Sequence, residues 1–430
     1  MMRQPEQQTV HDQAPADAHA AHDEPAADVE PAATAAPTLR EPAAGVPEVC
    51  DTAEALARVV ADFAAGTGPV ALDAERASGH RYGQRAFLIQ AKRGGSGIAL
   101  IDTEALPDLS DLAREIAGAQ WVLHSATQDL ACLADVGLRP SRLFDTELAA
   151  RLLNLPRVGL ASLTESLLGW HLAKGHSAAD WSVRPLPQDY LRYAALDVEL
   201  LLDLRDVLEE RLRDAGKLAW AEQEFAALVH WSPSVHPDPW RRTSGSHRLR
   251  DRRRLALLRS LWQTRDTLAQ ELDLAPGRVL PDAALVEAAQ SQPADRMALL
   301  SVPGFKRQQR RIGLWWQSVT SALDLPESGL PALQAADDGP PPPRTWSRRD
   351  PDAAARFARA RSAVLAVGED RQIPAEVLIS PDAVRRLAWS PPDPATPEAV
   401  VDFLRSRQVR EWQIELVAAD LAAAIAGAAA

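Results

Sequence analysis

Short apolar runs alternate with longer helical blocks from about residue 49 onward, a pattern typical of an α/β unit. Four of the runs are short enough to be strands. They are Val70–Glu75, Ala86–Ala91, Ile98–Ile101 and Trp121–His124. Short connections join the first three, which predicts an antiparallel meander. The fourth run follows a helical block and should therefore join the sheet in a different sense.

Helical periodicity fills the segments between and after these strands. The predicted helices are Asp108–Ala117, Asp145–Leu153, Leu160–Leu168 and Gln188–Leu212. A mixed sheet flanked by helices follows from this order of elements.

The rest of the chain forms two all-helical blocks that share a weak repeat of roughly 100 residues. Pro276, Val279, Leu280 and Pro281-Asp282 correspond to Pro374, Val377, Leu378 and Pro381-Asp382. A period of this length suggests two copies of one small helical domain, because the units of a solenoid are shorter.

Composition sets the predicted domain boundaries. The first 48 residues are dominated by Ala, Pro and acids and cannot bury enough apolar surface to fold, and proline-bearing stretches at 232–240 and 339–343 indicate linkers. The prediction is a disordered tail at 1–48, an α/β domain at 49–222, a linker at 223–245, a helical domain at 246–325, a proline-rich linker at 326–349 and a second helical domain at 350–427.

Charge is distributed unevenly along the chain. The net charge is -12, but residues 241–320 hold fifteen Lys and Arg against seven acids. We expect this basic block to hold a polyanion, since the arginines from Arg241 to Arg254 outnumber nearby acids and Lys306, Arg307, Arg310 and Arg311 follow a loop-like break. The competing interpretation is a solvated helical surface whose arginines pair with local acids.

Several classes of protein are disfavoured by what the sequence lacks. The only two cysteines, Cys50 and Cys132, have no CxxC spacing, so neither disulfides nor a zinc module is expected. No apolar run approaches 18 residues and no signal peptide is evident, which favours a cytoplasmic protein without membrane contact. No GxxxxGK[ST] loop is present, so no nucleotide cofactor is expected.

Three segments carry acids in positions suited to metal chemistry. Asp73 and Glu75 are spaced by two at the end of an apolar strand and leave the same face. Asp129 lies where a strand meets a helix, a position that could also be a simple helix cap. Tyr193 and Asp197 stand four apart and project from one helical face. Each segment alone has an ordinary structural explanation, whereas all three in this order are far more specific.

These segments resemble the DEDD exonuclease superfamily in its tyrosine-bearing branch, and within it the ribonuclease D family. Supporting motifs are Phe87-Leu88-Ile89-Gln90, Leu143-Phe144-Asp145-Thr146 and the stretch from Asp180 to Leu186. The resemblance covers about residues 49–220 and implies a ribonuclease H-like α/β fold. The helical blocks at 246–325 and 350–427 resemble HRDC modules, the second more distantly.

The resemblance implies a 3′-to-5′ exoribonuclease that trims structured RNA such as tRNA precursors with two Mg²⁺ or Mn²⁺ ions. Asp73 would bridge the ions, Glu75 and Asp197 would hold the ion that activates water, and Asp129 would help to hold the other through a water molecule. Tyr193 would orient the attacking water or assist its deprotonation. Asp145 matches a structural residue of the family and is left out of the site. Alternatives are a DNA 3′-5′ exonuclease and a catalytically silent nucleic-acid-binding protein.

One departure from the family pattern concerns the first motif. The family places threonine between the two acids and an aromatic residue after them, whereas this chain has Ala74 and Arg76. Neither position is a metal ligand in the family pattern. Arg76 is interpreted either as a contact to substrate phosphate or as a solvated charge at a strand end.

Overall fold

The computed structural model describes residues 36–173, 175, 179–334 and 339–427. The compact unit discussed below starts at Pro37. Residues 1–35 of the tail predicted at 1–48 lie outside the described residues. Within the described ranges, no helix is both long and apolar enough to cross a membrane.

A six-stranded mixed sheet forms the centre of the α/β domain, residues 37–229. Its strands are β2 (Val49–Cys50), β3 (Thr67–Arg76), β4 (Ala86–Gly94), β5 (Gly97–Asp102), β6 (Gln120–Leu123) and β7 (Arg142–Asp145). The spatial order is β2-β5-β4-β3-β6-β7. The predicted antiparallel meander is confirmed for β3, β4 and β5, and β6 adds in parallel to β3. β3 therefore lies inside the sheet, paired on both sides.

The ordered chain begins before the predicted boundary at residue 49. A two-residue strand, β1 (Thr38–Leu39), pairs in parallel with β8 (His171–Leu172). Glu41 also accepts a hydrogen bond from Arg192 at 3.0 Å. The prediction of a disordered tail is therefore wrong for residues 37–48, because backbone pairing fixes a segment whose side chains alone bury little.

Eight helices cover the sheet of the α/β domain. They are α1 (Ala53–Ala65), α2 (Ser110–Ile116), α3 (Leu130–Asp135), α4 (Thr146–Leu152), α5 (Leu160–Leu163), α6 (Gln188–Glu199), α7 (Leu201–Asp214) and α8 (Leu218–Val229). A π-helical turn extends α5, and the helix predicted at 188–212 is broken at Leu200. α8 lies in the predicted linker, but Phe225 packs against Phe144 with ring centroids 4.7 Å apart. That linker boundary was wrong because α8 belongs to the α/β core.

Two helical blocks follow, the second block at 239–331 and the third block at 339–427. The second contains α9 (Arg252–Leu272), α10 (Pro276–Val279), α11 (Asp282–Ser291), α12 (Arg296–Ser301) and α13 (Ile312–Leu323), with a 3₁₀ turn at Phe305–Arg311. The third contains α14 (Trp346–Arg349), α15 (Pro351–Arg371), α16 (Ala375–Leu378), α17 (Pro381–Trp389), α18 (Pro397–Ser406) and α19 (Glu411–Ala426). Trp240 and Trp346, both placed in linkers by the sequence, are buried in the block cores.

The repeat seen in the sequence is visible in the backbone. α9 and α15 are both 21 residues long, and each is capped by an aspartate, Asp251 or Asp350. Each then ends in a left-handed residue and is followed by a four-residue helix. Pro276 opens α10 whereas Pro374 precedes α16, so the sequence alignment of these two prolines is one residue out of register.

The second block docks on the loop between β3 and β4. Arg85 forms two hydrogen bonds of 2.9 Å with the carboxylate of Asp273. Arg278 donates to the carbonyl of Gly79 at 2.7 Å, and the backbone N–H of Ala275 donates to the carbonyl of His80 at 3.1 Å. A bidentate ion pair with backbone bonds beside it fixes orientation as well as contact.

The third block docks on the C-terminal part of the α/β domain, through α8 and the turn before it. Trp412 stacks on Trp220 at 5.3 Å and donates from Nε1 to Glu224 at 2.9 Å. The buried amine of Lys217 donates to the carbonyls of Leu152 and Gln372, both at 2.8 Å. Both helical blocks are thus held to the α/β domain by specific polar contacts.

Candidate active site

The alternation of β3 separates its apolar and acidic positions. Val70, Leu72 and Ala74 point into one hydrophobic core. Asp73 and Glu75 therefore leave the other face, as side chains two residues apart must in a strand. Because β3 is an inner strand, both acids are held in the middle of the sheet rather than at a mobile edge.

α6 lies across that face and supplies the next two groups. Its residues Ala194 and Ala195 are fully buried against the sheet, and their small size lets the helix approach closely. Asp197 meets the strand acids, so that ligand oxygens of Asp73, Glu75 and Asp197 lie within 4.8 Å of one another. This trio could hold a metal ion.

Asp129 lines the same cavity as the three acids. It occupies the cap position of α3, but its side chain makes no capping hydrogen bond, so its carboxylate is directed to the site instead. It is only 4% exposed. All five predicted site residues line one cavity of about 260 Å³, together with Arg76 and His124.

The turn that carries Asp129 is held by Asp145. One carboxylate oxygen of Asp145 accepts from the backbone N–H groups of Glu147 and Leu148 at 2.9 and 3.1 Å, where it caps α4. The same side chain accepts from Ser125 at 3.2 Å and Ala126 at 2.8 Å. The carboxylate of Asp145 thus accepts four backbone hydrogen bonds, which agrees with leaving it out of the site.

The segment from Asp180 to Leu186 packs against α6. Trp181 is fully buried, and its ring centroid lies 6.3 Å from that of Tyr193. Arg184 donates two hydrogen bonds to Asp102, at 2.6 and 2.7 Å. The motif therefore fixes the start of α6 and the tyrosine ring rather than adding a group to the cavity.

Burial and mutual repulsion control the protonation of the site. Burial, followed by the charges of Asp73, Asp197 and Asp129, raises the pKa of Glu75 to about 10. Burial, followed by the Asp73 charge, raises the pKa of Asp129 to about 8, and burial raises the pKa of Asp73 to about 6. The pKa of Asp197 is also raised well above its usual value, mainly by burial. Four acids cannot all ionise here without added positive charge.

Tyr193 stays protonated at neutral pH. Burial, followed by the charge of Asp197, raises the pKa of its phenol, and the hydroxyl hydrogen-bonds the Asp197 carboxylate. In the ion-free protein the phenol is therefore a hydrogen-bond donor to Asp197.

Sequence reasoning missed two polar groups beside the acids. His124 lines the cavity and contacts Thr146 Oγ1 at 2.9 Å, and burial lowers its pKa to about 4, so it is neutral at pH 7. Gln90 pairs across the strands with Asp73 and is fully buried. Neither atom of its amide has a hydrogen-bond partner among the described residues. Its signal in the sequence was its place in the Phe87-Leu88-Ile89-Gln90 motif, which supported the family resemblance but assigned the glutamine no role.

Comparison with known proteins agrees with this geometry. Residues 47–213 match the profile of a family described as 3′-5′ exonuclease, and residues 254–313 match an HRDC domain. Residues 339–425 match a profile described as a 3′ to 5′ exonuclease C-terminal domain. The third block therefore matches a different profile from the second block, and its likeness to HRDC stays a prediction.

Relatives and solved structures extend the match over most of the chain. A ribonuclease D of Gluconacetobacter diazotrophicus is 31% identical over 75% of this chain and 81% of its own length. A crystal structure of a protein from Bifidobacterium adolescentis has a TM-score of 0.85 at 39% identity, covering 91% of this chain and 99% of that one. Escherichia coli RNase D, an exoribonuclease involved in structured RNA processing, has a TM-score of 0.65 at 28% identity, covering 84% and 98%.

The mixed sheet, the converging carboxylates and these matches define a 3′-5′ exonuclease. The chain belongs to the ribonuclease D family, and its activity is that of a 3′-5′ exoribonuclease.

Proposed function

We propose that this exoribonuclease trims the 3′ ends of structured RNA, such as tRNA precursors, at a site that holds two divalent ions. The observation that carries the proposal is the approach of three carboxylates to within 4.8 Å, with Asp129 lining the same cavity. A protein that only holds RNA has no need for acids that repel phosphate.

The donor set fits Mg²⁺ or Mn²⁺. Every candidate ligand is a carboxylate oxygen, and hard oxygen ligands suit these ions. The raised pKa values of Asp73, Glu75 and Asp129 indicate a site whose charge balance is incomplete in the protein alone. When bound, such ions would lower the pKa of a water molecule and neutralise developing charge on the phosphate.

The family resemblance assigns each side chain a role. Asp73 would contact both ions, Glu75 and Asp197 would hold one of them, and Asp129 would help to hold the other. Tyr193, whose hydroxyl donates to Asp197, would orient the attacking water by accepting a hydrogen bond from it. The second role considered from the sequence, assisting deprotonation of that water, stays a prediction.

Most arginines at the start of the basic block serve the fold. Arg252 and Arg253 donate to backbone carbonyls of residues 323–331, and Arg254 pairs with Asp251. The expectation that these arginines outnumber nearby acids stays a prediction, because hydrogen bonds to carbonyl groups occupy the donors of a guanidinium but leave its charge in place. Their side chains are engaged in holding the block together, which leaves fewer donors for RNA.

The 3₁₀ turn at 305–311 is the better candidate for the RNA anchor. Its cations Lys306, Arg307, Arg310 and Arg311 are exposed, and no ion pair to them is found in the described part of the chain. Gln308 ties the turn to α10 through the carbonyl of Val279 at 2.7 Å. α10 in turn contacts the loop that follows the catalytic strand.

A 3′-end trimming assay tests the proposal. Precursor tRNA and single-stranded DNA of equal length are compared, with Mg²⁺ and Mn²⁺ supplied separately and the Asp73→Asn variant as control. RNA should be trimmed faster, because a protein distinguishes the sugars through the 2′-hydroxyl. Equal rates on both polymers would contradict the proposed preference for RNA. Trimming by the Asp73→Asn variant at the wild-type rate would contradict the proposed metal site.

A further inference from the structure

Arg76 is the residue that departs most from the family pattern, and the structure places it inside the acidic site. Its Nη2 lies 3.6 Å from Oδ1 of Asp129, and its Nη1 donates to the carbonyl of Gln128. Its side chain is 23% exposed against 5% for that of Asp129. A solvated charge at a strand end, one alternative considered from the sequence, does not describe this arrangement, whereas a contact to substrate phosphate stays a prediction.

The end of β3 explains how the side chain reaches the site. Strict alternation would direct Arg76 to the face opposite Asp73 and Glu75. The register of β3 against β4 shifts between Glu75 and Arg76, and such an irregularity re-aims the side chain that follows it.

Arg76 is the one cation that the structure pairs with the acids of the cavity, as far as the described residues extend. Asp73, Glu75 and Asp197 form no ion pair there, and His124 contacts a threonine. The guanidinium and a metal ion would compete for the same carboxylate, since Asp129 has two oxygens on a largely buried side chain and one already faces Arg76.

We propose that Arg76 is an internal counter-cation that occupies Asp129 in the ion-free enzyme and competes with the second divalent ion for it. The inference rests on the two-ion site proposed above. A metal ion on the Asp129 side of the cavity then requires Arg76 to give up its ion pair, so this ion binds more weakly than the ion held by the Asp73, Glu75 and Asp197 trio.

The competing explanation is purely structural: Arg76 could serve only to hold the turn at Gln128. The two explanations differ in what they predict for metal binding without substrate. A structural role predicts lower stability and unchanged or weaker ion binding when the arginine is removed. Competition predicts markedly tighter binding of the ion at Asp129, whereas the other ion gains only the smaller effect of losing a nearby positive charge.

The test is an Mn²⁺ titration of the full-length protein without RNA, followed by electron paramagnetic resonance of free Mn²⁺. We compare wild type, Arg76→Ala, and Arg76→Gln, which keeps a donor for the Gln128 carbonyl while removing the charge. The control is Arg114→Ala, which removes one charge from an exposed surface pair with Asp111. We expect two ions per chain, with the weaker one bound on the order of tenfold more tightly in both Arg76 variants and unchanged in the control.

A double-mutant cycle isolates the pair. In an Asp129→Asn background the weaker site should be lost, and Arg76→Gln should then change the affinity of the remaining ion no more than it does when Asp129 is present. Equal tightening of both ions by Arg76→Gln, or two ions bound with wild-type affinities in both Arg76 variants, overturns the competition. A wild-type protein that binds no Mn²⁺ in stoichiometric amount overturns the two-ion site as well, so the two failures are distinguishable.

Discussion

Tyr193 and Asp197 lie one turn apart on the cavity face of α6, and the phenol hydroxyl hydrogen-bonds the carboxylate. The bond links the group proposed to orient water with one of the three acids that approach within 4.8 Å. Removing the hydroxyl should therefore affect the chemical step far more than the assembly of the site.

We expect Tyr193→Phe to bind Mn²⁺ as the wild type does and to lose about 10² to 10⁴ in the single-turnover rate, the range for a positioned acid-base or orienting group. The wild-type rate should show no rise that tracks ionisation of a tyrosine near neutral pH, because the pKa of this phenol is raised. Normal turnover by the variant would mean that the ring only packs against Trp181.

Stability of the ion-free protein should depend on pH in a defined direction. Unfolded carboxyl groups titrate at about pH 4, whereas the folded pKa values are about 6 for Asp73, 8 for Asp129 and 10 for Glu75. Raised folded values mean that protonation stabilises the fold, so the contribution is complete below about pH 4 and is lost as pH rises through the folded values. The melting temperature should therefore fall between about pH 5 and 9, and added Mg²⁺ should oppose the fall.

Glu75→Gln serves as the matched variant for that experiment. It removes a strongly shifted group, so its melting temperature without ions should depend less on pH than that of the wild type. It should also abolish trimming. A wild-type profile that is flat over this range would contradict the assigned crowding of charges.

Gly175 packs directly against the tyrosine ring. A Cβ at this position would lie 2.6 Å from Cδ2 of Tyr193, closer than such contacts allow, so either the ring or the backbone must move. We expect Gly175→Ala to lower kcat on the order of 10²-fold, the size of loss that a misplacement near 1 Å can cause. Gly118→Ala, which meets nothing within 4 Å, is the control and should keep the wild-type rate. Equal rates in the two variants would show that the ring tolerates displacement.

The anchor at the 3₁₀ turn predicts a change in salt dependence. Replacing Lys306 and Arg307 by alanine should weaken tRNA binding and reduce the slope of log K against log salt by roughly 0.7 to 0.9 for each phosphate that the protein no longer neutralises. Arg348→Ala with Arg349→Ala removes the same charge from an exposed part of the third block and should leave the slope unchanged. Identical slopes in the two double variants would assign the affinity to another surface.

Gln90→Met should stabilise the protein at some cost to its activity. The amide is fully buried with both polar atoms unbonded, as far as the described residues show, and each such group costs about 1–3 kcal/mol. A side chain of the same shape without polar atoms should raise the melting temperature, measured without ions. A lower melting temperature would mean that the amide has a partner, such as a buried water molecule.

The strands with clear patterns were predictable because alternation and short connections are local signals. β3, β4 and β5 follow from them directly. β2 has only two residues, too few for any periodicity, and β7 could not be separated from the helix it precedes because Asp145 both ends the strand and caps α4. The early start of the domain at β1 depends on pairing with a strand more than a hundred residues away.

Family motifs and spacing predicted the five candidate site residues, and the structure brings all five to one cavity. The position of Arg76 could not be found in this way. Alternation directs it away from the acids, and only the irregularity at the end of β3 brings it to Asp129. The role of the arginines near Arg252 was also hidden, because their partners are carbonyl groups that a count of charges does not include.

The contacts of Arg278 with Gly79 and of Gln308 with Val279 make the path from the basic turn to the catalytic strand a fixed span rather than a flexible tether. Two binding sites increase the affinity for one RNA only when the RNA can reach both sites at once. The gain in avidity disappears when the geometry prevents simultaneous binding. An RNA held at the turn would keep that gain while its free 3′ end bridges the span, and lose it once the end becomes too short. Rigid docking of a helical block would in this way set the length of the 3′ overhang that remains after trimming. The distance between the two sites in the protein would determine that length, and the RNA sequence would not.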